Sequence, residues 1–341
     1  MTALLLSLAL AFAQEKPGTP EQREVQERIR VDRVVVTGRV IDRFANQVSG
    51  LTVADFRLRV DGRETPIETV DWIPGGRPPE EKPAPPGGAS RPAAEAPPPL
   101  PPRLTVLLFQ WEIAGQKDVG FVRMMRQAKR YLDSLAADER IAVLGYGSGL
   151  RLLQDFTTNH GAVVEAIRNI RSPVWKGRSE GAGGPTLSAA LEGCGRTDSI
   201  ERALLCIGRS LEELPGPKTM LFFGWTAATT KETWRDEYPA ILEAIGKAEV
   251  SVSVLDISDG RRVTTKPVLP GSLQDLAYDS GGLYNETYDF PDLARRRVER
   301  SVEGYYEVVF RDPAIRRGMH QVEIELVGRA GTPLFHHWYS N

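Results

Sequence analysis

The serine best placed to act as a nucleophile is Ser148, which stands in a glycine-rich segment after a predicted strand. A hydrolase elbow of the form Gly-x-Ser-x-Gly requires glycine two residues before and two residues after the serine. Those positions hold Tyr146 and Leu150, so the elbow spacing fails. The glycines of this segment also miss the Gly-x-Gly-x-x-Gly spacing of a phosphate-binding loop, and we interpret them as turn residues at a strand end.

The histidines do not form a metal-binding motif. None of them lies in a His-Glu-x-x-His arrangement, which places two ligands on one helix face; they are His160, His320, His336 and His337. His336 and His337 are adjacent on a strand predicted from Leu334 to Tyr339, where successive side chains point to opposite faces and cannot share one ion. The sequence therefore gives no positive evidence of catalysis, and we expect neither enzymatic activity nor a cofactor.

Cys194 and Cys206 are the only cysteines, and they lie in one local segment. In an oxidising compartment they could pair, and closing a loop of that size stabilises a fold by about 3 kcal/mol in the chain-entropy model. The alternative is two buried free thiols. We predict the disulfide, because the N-terminus indicates export and pairing leaves no odd cysteine.

The N-terminal residues carry the export signal. An apolar run from Leu4 to Phe12 ends in Ala11-Phe12-Ala13, which is typical of a secretory signal peptide over residues 1–13. No Lys or Arg precedes the run, and a buried N-terminal helix is the alternative reading. No other stretch approaches the ~20 apolar residues that span a bilayer. We expect the mature chain to be secreted or periplasmic and not inserted in a membrane.

Composition and charge narrow the class of partner. Apolar residues make up 41% and charged residues 26% of the 341 residues, which is typical of a folded protein. The 43 basic and 45 acidic side chains give a formal charge of -2, which offers no electrostatic footprint for nucleic acid or an anionic membrane. The expected partner is another protein, and not a nucleic acid.

Strand patterns begin and end the chain. Residues 31–73 show strand periodicity with turn chemistry at Asp61-Gly62, and residues 303–341 show it again. Residues 74–102 are rich in proline and read as a linker, with a proline-rich ligand as the alternative. An isolated sheet of so few strands is marginal in water, so we predict that both sets pack as one β-sandwich. The alternative is that the C-terminal strands extend the central sheet at its edge.

Residues 103–302 alternate strands with amphipathic helices, beginning with the apolar strand Leu104 to Phe109. This alternation predicts an α/β domain with a mostly parallel sheet and helices on both faces.

Short motifs in a fixed order resemble the von Willebrand factor A-like proteins, in particular the VWFA-related secreted proteins abundant in acidobacteria. The resemblance runs from about residue 31 to the end, and it implies a Rossmann-like von Willebrand factor A domain. The motifs that carry it are Val34-Val35-Val36-Thr37-Gly38, Gly50-Leu51-Thr52-Val53-Ala54-Asp55-Phe56, Val60-Asp61-Gly62, Asp138-Glu139-Arg140-Ile141-Ala142-Val143, Asp155-Phe156-Thr157, Leu276-Ala277-Tyr278-Asp279-Ser280-Gly281-Gly282 and Ser301-Val302-Glu303-Gly304-Tyr305-Tyr306-Glu307.

The resemblance also implies a metal-ion-dependent adhesion site, and this chain departs from it. In the family, an Asp-x-Ser-x-Ser loop, a threonine from a second loop and an aspartate from a third hold a divalent ion through oxygen ligands. The first-loop positions here are Gln110, Glu112 and Ala114, the second loop keeps Thr186, and the third has Trp225 in place of an acid. We predict a degenerate site without metal; the alternative is that Glu112 and Thr186 hold an ion with water.

The segment Asp256-Ile257-Ser258-Asp259-Gly260 is similar to the Asp-x-Ser-x-Ser motif of the family's first loop. It follows a later strand, where the family has a loop and no metal site. We interpret it as a turn built on aspartate and glycine.

Two functional hypotheses of different class follow. The first is a non-catalytic protein-binding module whose partner surface lies on the degenerate loops and comprises Gln110, Trp111, Glu112, Thr186 and Trp225. Loop tryptophans make good interface anchors, although Trp111 and Trp225 could instead fill the space left by the ion. The second is an envelope enzyme with a site in the crevice between the sandwich and the α/β domain, where converging acids or a histidine would favour it.

Overall fold

Two groups of strands flank an alternation of strands and helices. The strands are β1 (Arg33–Ile41), β2 (Phe56–Val60), β3 (Arg63–Thr65), β4 (Ile67–Pro74), β5 (Leu104–Gln110), β6 (Arg140–Tyr146), β7 (Leu150–Thr157), β8 (Lys218–Gly224), β9 (Val250–Asp256), β10 (Tyr284–Glu286), β11 (Gly304–Arg311), β12 (Met319–Leu326), β13 (Thr332–Phe335) and β14 (Trp338–Ser340). The helices are α1 (Asp118–Leu132), α2 (His160–Arg168), α3 (Ser188–Glu192), α4 (Ile200–Glu212), α5 (Lys231–Lys247), α6 (Ser272–Asp279) and α7 (Pro291–Ser301).

The computed structural model describes residues 33–74, 103–111, 118–172, 174–175, 184–257, 269, 271–287, 291–312 and 317–341, with side chains of the third range from residue 122 onward. The expectations for the signal peptide, for the linker and for Glu112 and Ala114 lie outside the described residues. None of the described helices is long and apolar enough to cross a membrane.

The flanking strands form two four-stranded sheets that mix both ends of the chain. One sheet has the order β13-β1-β11-β4 and the other the order β14-β12-β2-β3. Alternate residues of each strand face the space between the sheets, as Phe56, Leu58 and Val60 of β2 do. They pack there against Tyr306 and Phe310 of β11, which are both fully buried. This is the predicted sandwich, and the C-terminal strands do not extend the central sheet.

The central sheet has the order β10-β9-β8-β5-β6-β7. Its strands are parallel except β7, which runs antiparallel to β6 at one edge. β5, β8 and β9 are buried along their whole length, because separate apolar clusters cover the two faces of the sheet. The fold class predicted from the sequence, an α/β domain with a mostly parallel sheet and a small β-sandwich, is confirmed.

One predicted strand is wrong. The segment from Leu334 to Tyr339 is not a single strand, because β13 and β14 belong to different sheets and the chain crosses between them at His336 and His337. The end of α6 directs this crossing: the N–H of His337 donates to the carbonyl of Asp279 at 3.0 Å. Local periodicity could not predict it, since this partner lies far away in the sequence.

Candidate functional site

Gln110 is the last residue of β5, at the position that the sequence resemblance predicts for the first ligand of the family's metal site. Its Oε1 accepts the backbone N–H of Trp225 at 3.0 Å and that of Thr226 at 3.4 Å, and the side chain is 3% exposed. A Cβ on Gly224 would lie 2.8 Å from this Oε1, so the close approach requires glycine there. The amide therefore binds the loop that follows β8, and it does so without burying a charge.

Trp111 rests on glycines of the neighbouring strand. A Cβ on Gly145 would lie 2.2 Å from the indole Cζ3, and a Cβ on Gly147 would lie 2.7 Å from Cε2. The backbone N–H of Trp111 also donates to the backbone carbonyl of Tyr146 at 3.0 Å. These glycines, which we interpreted as turn residues, form a flat seat for the indole; Gly145 lies within β6 itself. No local pattern in the sequence indicates this contact, because Trp111 follows one strand and Gly145 lies on another.

The exposed side of Trp111 is next to an arginine. The guanidinium of Arg151 lies 5.8 Å from the Trp111 ring centroid and donates to the carbonyls of Ser172 and Trp175 at 3.1 and 2.8 Å. Such a distance falls within the range of a cation–π contact. Arg151 thus joins the Trp111 loop to the segment that follows α2.

Trp225 is half-buried, as is Trp111, and both pack against the same apolar cluster under the sheet. That cluster contains Phe109 and Phe223, whose rings stack with centroids 4.7 Å apart at the ends of β5 and β8. Each tryptophan therefore has one part fixed in the core and another part in contact with solvent.

Thr186 is bound to a carboxylate that the sequence analysis did not single out as a site residue. Its hydroxyl donates to Asp155 Oδ2 at 2.6 Å, and the hydroxyl of Ser188 donates to the same oxygen at 2.7 Å. Asp155 Oδ1 accepts the N–H of Leu187 at 2.9 Å and that of Phe156 at 2.8 Å. The carboxylate thus anchors the start of α3 to β7.

Burial raises the pKa of Asp155, but the hydrogen bonds from Thr186, Ser188 and the backbone outweigh burial and hold the pKa below its ordinary value. Asp155 is 1% exposed, so its charge is stabilised by these donors rather than by water. The motif Asp155-Phe156-Thr157 was visible in the sequence, but nothing in it indicated a partner on another loop.

The predicted disulfide is confirmed. Cys194 and Cys206 are bonded with their Cα atoms 5.6 Å apart, and the bridge joins the turn after α3 to α4. The enclosed segment contacts the central sheet, because Thr197 Oγ1 accepts the N–H of Leu150 at 3.0 Å and the Asp198 carbonyl accepts the Tyr146 hydroxyl at 3.2 Å. The bridge thus helps to fix a loop beside Trp111.

Asp256 is the last residue of β9 and is 8% exposed. Its carboxylate accepts the Tyr284 hydroxyl at 2.7 Å, and its carbonyl accepts the N–H of Thr287 at 3.0 Å. Asp256 therefore ties β9 to the segment around β10, and residues 258–260 lie outside the described residues. Across the part of the chain that the structure describes, no three His, Cys, Asp or Glu side chains converge as metal ligands do.

A groove of about 370 Å³ lies between the sandwich and the α/β domain, and His336 lines it. Burial, helped by Arg39 and His337, lowers the pKa of His336 to about 4. Of the acids in the groove, Asp312 accepts the Tyr339 hydroxyl at 2.6 Å. The crevice thus contains a histidine, as the enzyme hypothesis requires, but one whose basicity is far from the value near 7 that suits a general base.

Comparisons with known proteins give fold similarity at low identity. No family profile matches the chain, and no curated protein matches it. Similar solved structures include the conserved hypothetical protein BatB of Bacteroides thetaiotaomicron, with 13% identity over 59% of this chain and 97% of that chain at a TM-score of 0.39. A von Willebrand factor type A protein of Catenulispora acidiphila has 10% identity over 91% of this chain and 72% of that chain, at a TM-score of 0.39. The PilB minor pilin of Streptococcus sanguinis has 10% identity over 59% of this chain and 61% of that chain, at a TM-score of 0.40.

Proposed function

We propose that this chain, whose α/β domain is von Willebrand factor A-like, is an exported, non-catalytic module that binds another protein without a metal ion. One observation carries the proposal: the described polar side chains at the family's ligand positions are hydrogen-bonded within the protein. Gln110 Oε1 accepts two backbone N–H groups, and the Thr186 hydroxyl donates to Asp155. An ion at these loops would have to displace bonds that already hold the loops in place.

The partner surface is built on Trp111 and Trp225, with the buried Gln110 beneath it as a loop support, the exposed Thr186 on the second loop and Glu112 on the first loop. Interface anchors are typically aromatic residues that are rigid before binding, because ordering them then costs little. Trp111 meets this requirement through its glycine seat and Arg151. The apolar N-terminal run and the disulfide support export, since disulfides persist in oxidising compartments.

The envelope-enzyme alternative rests on His336 in the groove between the sandwich and the α/β domain. It would require His336 to act as an acid or base, and His336→Gln would then abolish turnover of whichever substrate is found. The lowered pKa and the hydrogen-bonded Asp312 favour the binding module.

Photo-crosslinking tests the proposal. A photoreactive phenylalanine analogue is placed at Trp225, and separately at Tyr278, which is 69% exposed at the end of α6, as the matched control. The full chain is irradiated with an envelope fraction, in EDTA and in Mg²⁺. We expect one discrete adduct from the Trp225 position in both buffers and none from Tyr278. An adduct that forms only in Mg²⁺, or equally from both positions, would contradict the proposal.

A further inference from the structure

The first half of β1 has one unpaired edge. β11 pairs with β1 from Arg33 to Gly38 on one side. On the other side β13 pairs only with Gly38–Ile41, and no other described strand continues the pairing toward Arg33. The edge is open because the chain leaves β13 at His336 and crosses to the other sheet.

Strand alternation identifies the backbone groups on that open edge. Pro333 stands opposite Val40 and has no N–H, and the Val40 carbonyl accepts the N–H of Val48 on the far side at 2.8 Å. Val40 therefore directs its backbone away from β13, and the odd-numbered residues of β1 direct theirs toward it. By the same alternation, Arg33 and Val35 direct their N–H and C=O groups to the open edge.

Two side chains that line the groove beside this edge together with Val35, those of His336 and Trp338, each carry a buried polar atom without a partner among the described residues. His336 is 6% exposed, and its Nε2 has no hydrogen-bond partner among the described residues. The buried Nε1 of Trp338 likewise has none. Val35 is 51% exposed, which is high for a β-branched side chain in a sandwich strand.

The charges of the groove argue against an ionic ligand. Arg33 is ion-paired with Glu68 at 2.8 Å and Lys247 with Glu243 at 2.8 Å, so the basic side chains that line it are already partnered. The unsatisfied groups are backbone N–H and C=O groups, an indole N–H and an imidazole nitrogen. These are the groups that an extended peptide satisfies when it adds to a sheet edge.

We propose that this groove binds an extended peptide segment of a partner protein as an added strand beside Arg33–Val35, with a side-chain oxygen of the peptide accepting from Trp338 Nε1. The end of α5 and β14 wall the groove, so it admits a single extended chain and excludes the folded sheet edge of a second copy. The site is distinct from the tryptophan loops, because it lies at the amino end of the central sheet, where Glu249 precedes β9. It does not depend on the function proposed for those loops.

The probe is a fluorescein-labelled peptide of sequence Thr-Val-Thr-Val-Gln-Val-Thr, titrated into the full chain and followed by fluorescence anisotropy. Val35→Pro removes the N–H at the open edge, and Val35→Thr retains it as the matched control. We expect saturable binding that Val35→Pro weakens by about tenfold or more and that Val35→Thr leaves within about twofold. Equal binding by all three proteins, or no binding by the wild type, would overturn the proposal.

Trp338→Phe tests the side-chain contact. It should weaken binding of the glutamine peptide by about fivefold and leave unchanged the binding of the same peptide with alanine in place of glutamine. An equal loss for both peptides would reject the contact from Trp338 to the peptide.

Amide exchange on the wild type decides the matter if Val35→Pro does not fold. The Val35 N–H should exchange fast in the free protein and become at least about tenfold slower with peptide, whereas the Val36 N–H should be slow in both states because it pairs with β11. A Val35 N–H already protected in the free chain would show that another part of this chain covers the edge, and would overturn the proposal.

Discussion

The loops that hold Gln110, Asp155 and Thr186 differ from the junction of the central sheet with the sandwich in how their buried polar groups are satisfied. Gln110, Asp155 and Thr186 are each hydrogen-bonded to a neighbouring loop. At the junction, several buried polar atoms have no partner among the described residues: Arg39 Nε, Tyr131 Oη, His336 Nε2 and Trp338 Nε1. Arg39 keeps one contact, from Nη2 to the Thr219 hydroxyl at 3.3 Å.

This difference indicates which of the two regions has buried polar groups left to bind a ligand. The loops where the family resemblance implies a ligand hold Gln110, Asp155 and Thr186 in internal hydrogen bonds, whereas the junction with the sandwich has buried polar atoms without partners among the described residues. Burial with Arg103 nearby lowers the pKa of Arg39 to about 10, which shows how poorly this junction solvates charge. Unsatisfied buried groups are costly, so they identify the junction as the place where a ligand would gain most.

The largest expected effect on stability comes from Asp155, in the loops whose polar groups are hydrogen-bonded. Asp155→Ala leaves the hydroxyls of Thr186 and Ser188 and the N–H of Leu187 without their acceptor. The free energy of unfolding should fall by about 4 kcal/mol, measured by urea denaturation. Asp133→Ala, which removes an exposed ion pair with Lys129, is the control and should cost less than about 0.5 kcal/mol. Similar losses for the two variants would mean that Asp155 is not a structural anchor.

At the junction, we expect a dependence on acid that belongs to His336. Its pKa is about 4 in the folded chain and near 6.5 when unfolded, so the unfolded state binds more protons between these values. Stability should therefore fall as the pH drops from 6.5 toward 4, by up to about 3 kcal/mol.

His336→Gln should remove that dependence on acid. The stability difference between wild type and this variant should stay constant from pH 7 to 8, where both side chains are neutral, and change below pH 6.5. Urea denaturation measures this difference in unfolding free energy. If it does not change down to pH 4.5, His336 does not have a lowered pKa and is in contact with solvent.

The seat of Trp111 gives a smaller effect. Gly147→Ala places a Cβ 2.7 Å from the indole, which must shift, at a cost of about 1 to 2 kcal/mol in unfolding free energy. Gly149→Ala is the matched control, because its Cβ would meet Thr197 at an ordinary 3.7 Å. Gly147→Ala should also reduce the crosslinking yield at Trp225 if the two tryptophans form one surface. Equal stability of the two variants would argue against the seat.

Local patterns predicted the parts of the structure that depend on neighbours in sequence. Alternation in Phe56–Val60 and the Asp61-Gly62 turn predicted β2 and its hairpin, where Asp61 and Gly62 have φ of 49° and 75°. The segment that holds the two cysteines was short enough to predict the disulfide. The order of strands and helices predicted the layered α/β fold.

Contacts between distant segments were not predictable. Asp155 binds Thr186 across 31 residues, and Trp111 rests on Gly145, and neither pair leaves a local pattern in the chain. The crossing at His336 depends on a contact with the end of α6, so periodicity suggested one strand where there are two. The family motifs predicted which loops to compare, but only the hydrogen bonds indicate how the residues of these loops are used.

Calorimetric titration of the mature full chain with Mg²⁺, Ca²⁺ and Mn²⁺ tests the central claim most directly, namely that the loop end works without a cation. Gln110 and Thr186 are hydrogen-bonded within the protein, and Trp225 in the loop after β8 offers no carboxylate, so we predict no saturable heat at micromolar concentrations of any of the three ions. A one-site isotherm that Thr186→Ala abolishes would contradict the account, because it would show that the threonine still serves as a metal ligand.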